Sequence, residues 1–106
     1  MSIRRARVIN VRGAVVSYVY GGRSNVKSPR EITPGLYGWL GNPFEIGPDG
    51  NRAQVIEKFR VYFHQRLEDD PAFLAAVLDL KGQVLGCFCK PKACHLDIVV
   101  DWLNEQ

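Results

Sequence analysis

The chain reads as a small α/β layered domain, with a short, mostly parallel sheet flanked by about three helices. Three observations predict it. Strand-like runs occupy residues 7–11 and 14–20, two helical patterns fill residues 51–80, and a short apolar run at 83–88 leads into a third helical pattern. Strands, then helices, then a strand feeding a helix point to an α/β layered arrangement. The connection from the early strands to residue 83 is long enough for a parallel crossover. The 106 residues suffice for one core, and without an internal repeat a single domain over 1–106 is expected.

The first two runs, RVINV and AVVSYVY, are rich in β-branched and aromatic types and are separated by Arg12-Gly13. They read as two strands, with a hairpin as one arrangement. The second is apolar at nearly every position, the pattern of a strand buried on both faces. Residues 21–51 form a long irregular stretch with seven of the ten glycines and four of the six prolines. Loops of this length in a small domain are commonly functional. Because it carries Tyr37, Trp39, Leu40 and Phe44, it is expected to pack as a lid or pocket wall with one short strand.

The first helix should begin near Asn51, which forms an imperfect capping box with Gln54. Val55, Ile56, Phe59, Tyr62, Phe63 and Leu67 then recur at helical spacing. Asp70-Pro71 opens a second helix, and Gly82 follows its end. The buried strand 83–88 comes next. A third helix is predicted from about Lys92 to Leu103, with Ile98, Val99, Trp102 and Leu103 on its inner face.

The composition is that of a globular chain, with 46% hydrophobic and 24% charged residues. No apolar run approaches the ~18 residues of a membrane helix, and the N-terminus lacks a secretory signal pattern. A cytoplasmic protein without membrane partners is expected. Three cysteines within eight positions then suit free thiols or metal ligation better than a disulfide framework. Residues 1–30 carry seven basic side chains, among them Arg4, Arg5, Arg7, Arg12 and Arg23, and no acidic one. Such an asymmetry suits an anionic ligand, a nucleotide, phosphate ester or nucleic acid, and a solvated basic face accounts for it equally well; Arg4, Arg5 and Arg7 are too few for a nucleic-acid arm.

The segment CFCKPKACHLD, Cys87 to Asp97, concentrates the chemistry. Three readings compete. In the first, Cys94 lies in the opening turn of the third helix, where free N–H groups and the dipole favour a thiolate. His95 then moves a proton, Asp97 supports the pair, and Lys90 and Lys92 add positive charge. The same helix start would serve a substrate phosphate. In the second, Cys87, Cys89, Cys94 and His95 hold zinc. Adjacent Cys94 and His95 on a helix would stand roughly 100° apart, which disfavours this set, so no cofactor is favoured and zinc is the alternative. In the third, Cys87 and Cys89 are small core residues and Asp97 only complements the helix dipole.

Further candidates flank this segment. Gly21-Gly22-Arg23 follows a strand and offers a phosphate turn with a guanidinium, although turn glycines alone account for it. In Gly41-Asn42-Pro43-Phe44, Asn42 is held extended before proline, its amide suits a base edge or a loop contact, and Phe44 suits ring stacking or core anchoring. Arg52 opens a helix, where the dipole disfavours a cation and an anion contact would compensate. His64, beside an apolar face, reads as structural.

Taken together, Tyr20, Gly22 and Arg23, then Leu40 to Phe44, then Gly50 and Arg52, then Cys87, Cys89, Pro91, Cys94, His95 and Asp97 form a pattern over most of the chain. It resembles the domain-of-unknown-function 4326 family, small proteins of phages and bacteria. The chain departs from that pattern at Phe88, where tryptophan is frequent, and at Leu96, where glycine is frequent. The resemblance implies a site map and no activity.

The leading expectation is a small enzyme that binds a nucleotide-like or phosphorylated ligand for hydrolysis or transfer. Cys94 and His95 would react, Asp97 would assist, and Gly22, Arg23, Gly41, Asn42, Pro43, Phe44, Arg52, Cys89 and Lys90 would bind. The alternatives are a zinc-stabilised module for nucleic acid and a phage-type protein adaptor.

Overall fold

The computed structural model describes residues 5–106, so Arg4 lies outside the described part. Its centre is a three-stranded sheet of β1 (Arg7–Asn10), β2 (Val19–Tyr20) and β3 (Val84–Cys87). The strand order is β1-β3-β2, and both edge strands run parallel to β3. Arg7 pairs with Val84, Asn10 with Cys87, and Tyr20 with Gly86. The sheet is therefore the short parallel one that the order of elements implies.

The hairpin is corrected. β1 and β2 never touch, because β3 lies between them. Gly13, at φ +73°, does turn the chain, and Ala14 N–H donates to the Val11 carbonyl at 3.3 Å. The segment then crosses to the other edge of the sheet, passing over β3 at Gly86. A Cβ at Gly86 would lie 2.5 Å from the Tyr18 ring and 2.6 Å from Val11. This crossing also overturns the reading of 14–20 as a buried strand. Val15 is 96% exposed, Val16 43% and Tyr18 41%, and pairing begins only at Val19.

Between β2 and β3 the chain builds α1 (Arg52–Asp69) and α2 (Pro71–Leu78), and α3 (Leu96–Asn104) follows β3. The capping box at α1 is complete: Asn51 Oδ1 accepts from Gln54 N–H at 2.9 Å, and Gln54 Oε1 accepts from Asn51 N–H at 2.8 Å. Asp70 caps α2 through Phe73 N–H at 3.1 Å, with Pro71 at the first helical position. That hydrogen bond, followed by the Arg66 guanidinium, holds the Asp70 carboxyl below its ordinary value.

The core gathers α1, α2, α3 and the inner face of the sheet. Val55, Phe59, Phe63 and Leu67 recur every four residues along one side of α1 and are buried. Phe63 meets Phe73 edge-on at 5.9 Å and Trp102 at 6.0 Å. The Asn104 amide accepts from Ala6 N–H at 2.9 Å and donates to the Ala6 carbonyl at 3.1 Å, fixing β1 to α3.

The 21–51 stretch is anchored rather than free. Ile32, Trp39 and Leu40 are buried, and Trp39 packs edge-on to Phe73 at 5.6 Å. In place of the expected short strand it contains a 3₁₀ turn at Pro29–Glu31 and an isolated Gly47–Gly50 bridge. Among the described residues no helix is long and apolar enough to cross a membrane.

Candidate functional site

β2 and β3 are parallel neighbours, so the loops after them emerge at the same end of the sheet. There a cavity of about 460 Å³ opens between Gly22-Arg23, the Asn42–Ile46 loop, the start of α1 and the Cys87–His95 segment. Eight of the residues singled out from the sequence border it: Gly22, Arg23, Asn42, Phe44, Arg52, Cys89, Cys94 and His95. Cys87 borders it as well. Gly41, Pro43, Lys90 and Asp97 do not.

The floor is a fixed loop. After Cys87 the chain leaves the sheet, turns through Lys92 N–H to the Cys89 carbonyl at 2.8 Å, and reaches α3 at Leu96. Three elements grip it. Asn10 at the end of β1 donates to the Lys90 carbonyl. Arg52 Nη1 donates to the Ala93 carbonyl at 3.0 Å, which gives this helix-opening cation a partner. Asp97 Oδ2 accepts from Cys94 N–H at 3.0 Å, while Oδ1 pairs with Lys90 Nζ at 2.6 Å. That ion pair raises the Lys90 pKa, the hydrogen bond to Asp97 being the main cause. Asp97 and Lys90 thus shape the loop from behind.

The expected position of Cys94 is corrected here. α3 starts at Leu96 and not near Lys92, so Cys94 and His95 precede the helix. Asp97 reaching back to Cys94 N–H holds this entry in shape. Cys94 is 1% exposed, and burial pushes its thiol well above the ordinary value, with Cys87 and Cys89 adding to the effect against a hydrogen bond from Leu96 N–H. Burial thus opposes the low-pKa thiolate expected from the helix start.

His95 is buried against Phe59, ring centroids 4.9 Å apart. Its Nε2 lies 2.9 Å from the Gly21 carbonyl and 3.1 Å from the Leu40 carbonyl. Both partners are acceptors, so Nε2 carries the hydrogen and Nδ1 faces Cys94 Sγ at 3.7 Å as acceptor. Burial pushes the imidazole pKa down to about 4, against the two carbonyl hydrogen bonds, which favour the cation. His95 therefore ties the β2 loop, the Leu40 loop and the cysteine loop together as a neutral ring.

The three thiols converge. Sγ atoms of Cys87, Cys89 and Cys94 all lie within 4.8 Å of one another, and His95 is outside this group. Cys87 ends β3, and Cys89 follows it across the bend at Phe88. The helix-angle objection to zinc lapses, because Cys94 precedes α3, but the His95 ring nitrogens stay outside the three-sulfur group.

The walls supply charge and rings. Gly41 lets the backbone approach Arg23: a Cβ there would lie 2.6 Å from Arg23 Cγ. Arg23 Nη1 meets Glu45 Oε1 at 3.0 Å in an exposed pair. Asn42 spends its amide on the loop, donating to the Val55 carbonyl at 3.1 Å and accepting from Phe44 N–H at 2.9 Å. It anchors the wall to α1. Phe44 separates the cavity from a second hollow of about 700 Å³ beside Arg30, Lys58, Tyr62 and Arg66. Tyr20 and Phe88 also line the cavity, in edge contact at 6.2 Å, and Tyr37 stacks on Tyr20 at 5.1 Å. Burial raises the Tyr20 pKa. Reading the sequence for charged groups passed over Phe88 as a site residue; its 55% exposure directly after a buried strand residue is the signal.

A family model described as a domain of unknown function, DUF4326, matches residues 7–105. The chain is 40% identical over 61 residues to an uncharacterised 12.4 kDa protein in the nrdA-td intergenic region of enterobacteria phage T4. That match covers 57% of this chain and 56% of the phage protein, so it spans about half the length of each. No solved structure matches the chain.

Proposed function

This chain belongs to the DUF4326 family, and we propose that it binds a small anionic, ring-bearing ligand of nucleotide type and acts on it in the cytoplasm as a hydrolase or transferase. One observation carries the reading. Two guanidinium groups, a half-exposed aromatic rim and a cysteine-histidine floor face one cavity of nucleotide size. Arg52 and Arg23 suit a phosphate, which they would grip from two sides. Glu45 is a weak competitor, since an exposed ion pair contributes at most about 1 kcal/mol. Tyr20, Phe88 and Phe44 offer faces for a base. Cys94 and His95 border the cavity floor and are the residues we assign to act on the ligand, with Asp97 holding Cys94 through its backbone.

A thermal-shift panel of nucleotides and phosphate esters tests the ligand class. At ten times its dissociation constant a ligand of the native state adds about 1.4 kcal/mol. For a domain of this size that raises Tm by roughly 6 °C. Arg52→Gln should remove most of the shift. If no nucleotide or phosphate ester moves Tm, the reading is wrong.

A further inference from the structure

We infer that Cys87, Cys89 and Cys94 form a three-thiolate site for a soft metal ion, zinc foremost, with its fourth coordination position open to the cavity. The inference stands on the thiols and holds whether or not the cavity takes a nucleotide.

The geometry is close to what a single ion requires. With Zn–S bonds of about 2.3 Å, tetrahedral geometry sets sulfur atoms about 3.8 Å apart. The three Sγ atoms already lie within 4.8 Å of one another, so side-chain rotations of about 1 Å close the set. Backbone movement is not needed. Asn10, Arg52 and Asp97 hold the ligand-bearing loop from three elements without using any sulfur, so the loop is preorganised. Three thiolates select soft ions such as zinc or copper(I) over magnesium or calcium.

Charge is also provided for. A zinc ion with three thiolates carries one net negative charge. The Lys90 ammonium acts electrostatically on Cys87 and Cys94. The fourth position is the informative one. Among the described residues no further cysteine, histidine or carboxylate joins the three thiols. His95 stands outside the set: its Nδ1 lies 3.7 Å from Cys94 Sγ, but neither ring nitrogen comes within 4.8 Å of all three sulfurs. Cys89 is only partly buried and borders the cavity, so an ion there meets an exchangeable ligand from that side. An open position separates reactive zinc sites from closed structural ones.

The test uses the full chain, purified without metal-affinity resin, reduced, stripped with chelator and titrated with Co²⁺. The expected result is one equivalent bound, a near-ultraviolet charge-transfer band of three thiolates, tetrahedral visible bands, and displacement by zinc. Azide should shift the visible bands; bands that azide leaves unchanged would show a closed site and overturn the open position. Cys89→Ser should weaken zinc binding by more than about 100-fold, beyond the range that outer partners alone account for. Should that variant misfold, alkylation of the wild type decides: one equivalent of zinc should protect all three thiols. Absence of a cobalt spectrum, protection of fewer than three thiols, or iron with inorganic sulfide in the purified protein would each overturn the proposal.

Discussion

His95 shows how much one side chain decides. Its Nε2–H serves two carbonyls from different loops, Gly21 and Leu40, and its ring fills the core against Phe59. Replacing it with leucine leaves those carbonyls without their donor. The expected cost is about 1–3 kcal/mol in urea unfolding. Its pKa sets a pH dependence for the metal-free chain. The folded value of about 4 lies below the unfolded value of about 6.5, so the unfolded state binds the proton more readily. Stability is complete above pH 6.5 and falls as pH drops toward 4, by about 3 kcal/mol in all. Unfolding midpoints measured in chelator at pH 7.5 and pH 4.5 check this; equal midpoints would contradict a buried neutral ring. The sequence marks this histidine by its neighbours, but its bracing role depends on two carbonyls distant in the chain. No local pattern announces them.

At the scale of elements, the cap signals carried most of the information. Asn51 and Gln54 fold as the reciprocal box their spacing implies. Asn51→Ala should cost about 1 kcal/mol, read as a lower urea midpoint at unchanged slope. Asp70-Pro71 likewise starts α2 where expected. Two of the misread elements failed for identifiable reasons. Ala14 to Tyr18 has the composition of a buried strand, yet it bridges two non-adjacent edge strands and stays largely on the surface. β-branched content reports a preference for extended backbone, not a place in a ladder. Lys92 to His95 has helical neighbours, but Asp97 and Arg52 bond its backbone and hold it out of the helix. The Arg52 bond joins residues that only the fold brings near, whereas the Asp97 bond is local and reaches back three positions. That the Cys87–Asp97 segment holds all three cysteines and one of the two histidines was legible. The convergence of three sulfurs without the histidine was not.

At the scale of the molecule, a parallel pair of strands explains why the site exists. β2 and β3 deliver Gly22-Arg23 and the cysteine loop to one end of the sheet, and Asn42 binds the wall between them to α1. Asn42→Ala should therefore disturb both fold and site: about 1–3 kcal/mol of stability, with weaker ligand response. The family model covers residues 7–105, so the cavity lies within the matched region. We propose this cavity, with the cysteine loop as its floor, as the place where a nucleotide-like ligand binds. Amide chemical shifts of ¹⁵N-labelled protein titrated with a nucleoside monophosphate test it most directly. Saturable shifts at Gly22, Asn42, Cys89 and Cys94 are predicted. Shifts confined to Arg30, Tyr62 and Arg66 around the second hollow, or none at millimolar ligand, would contradict it.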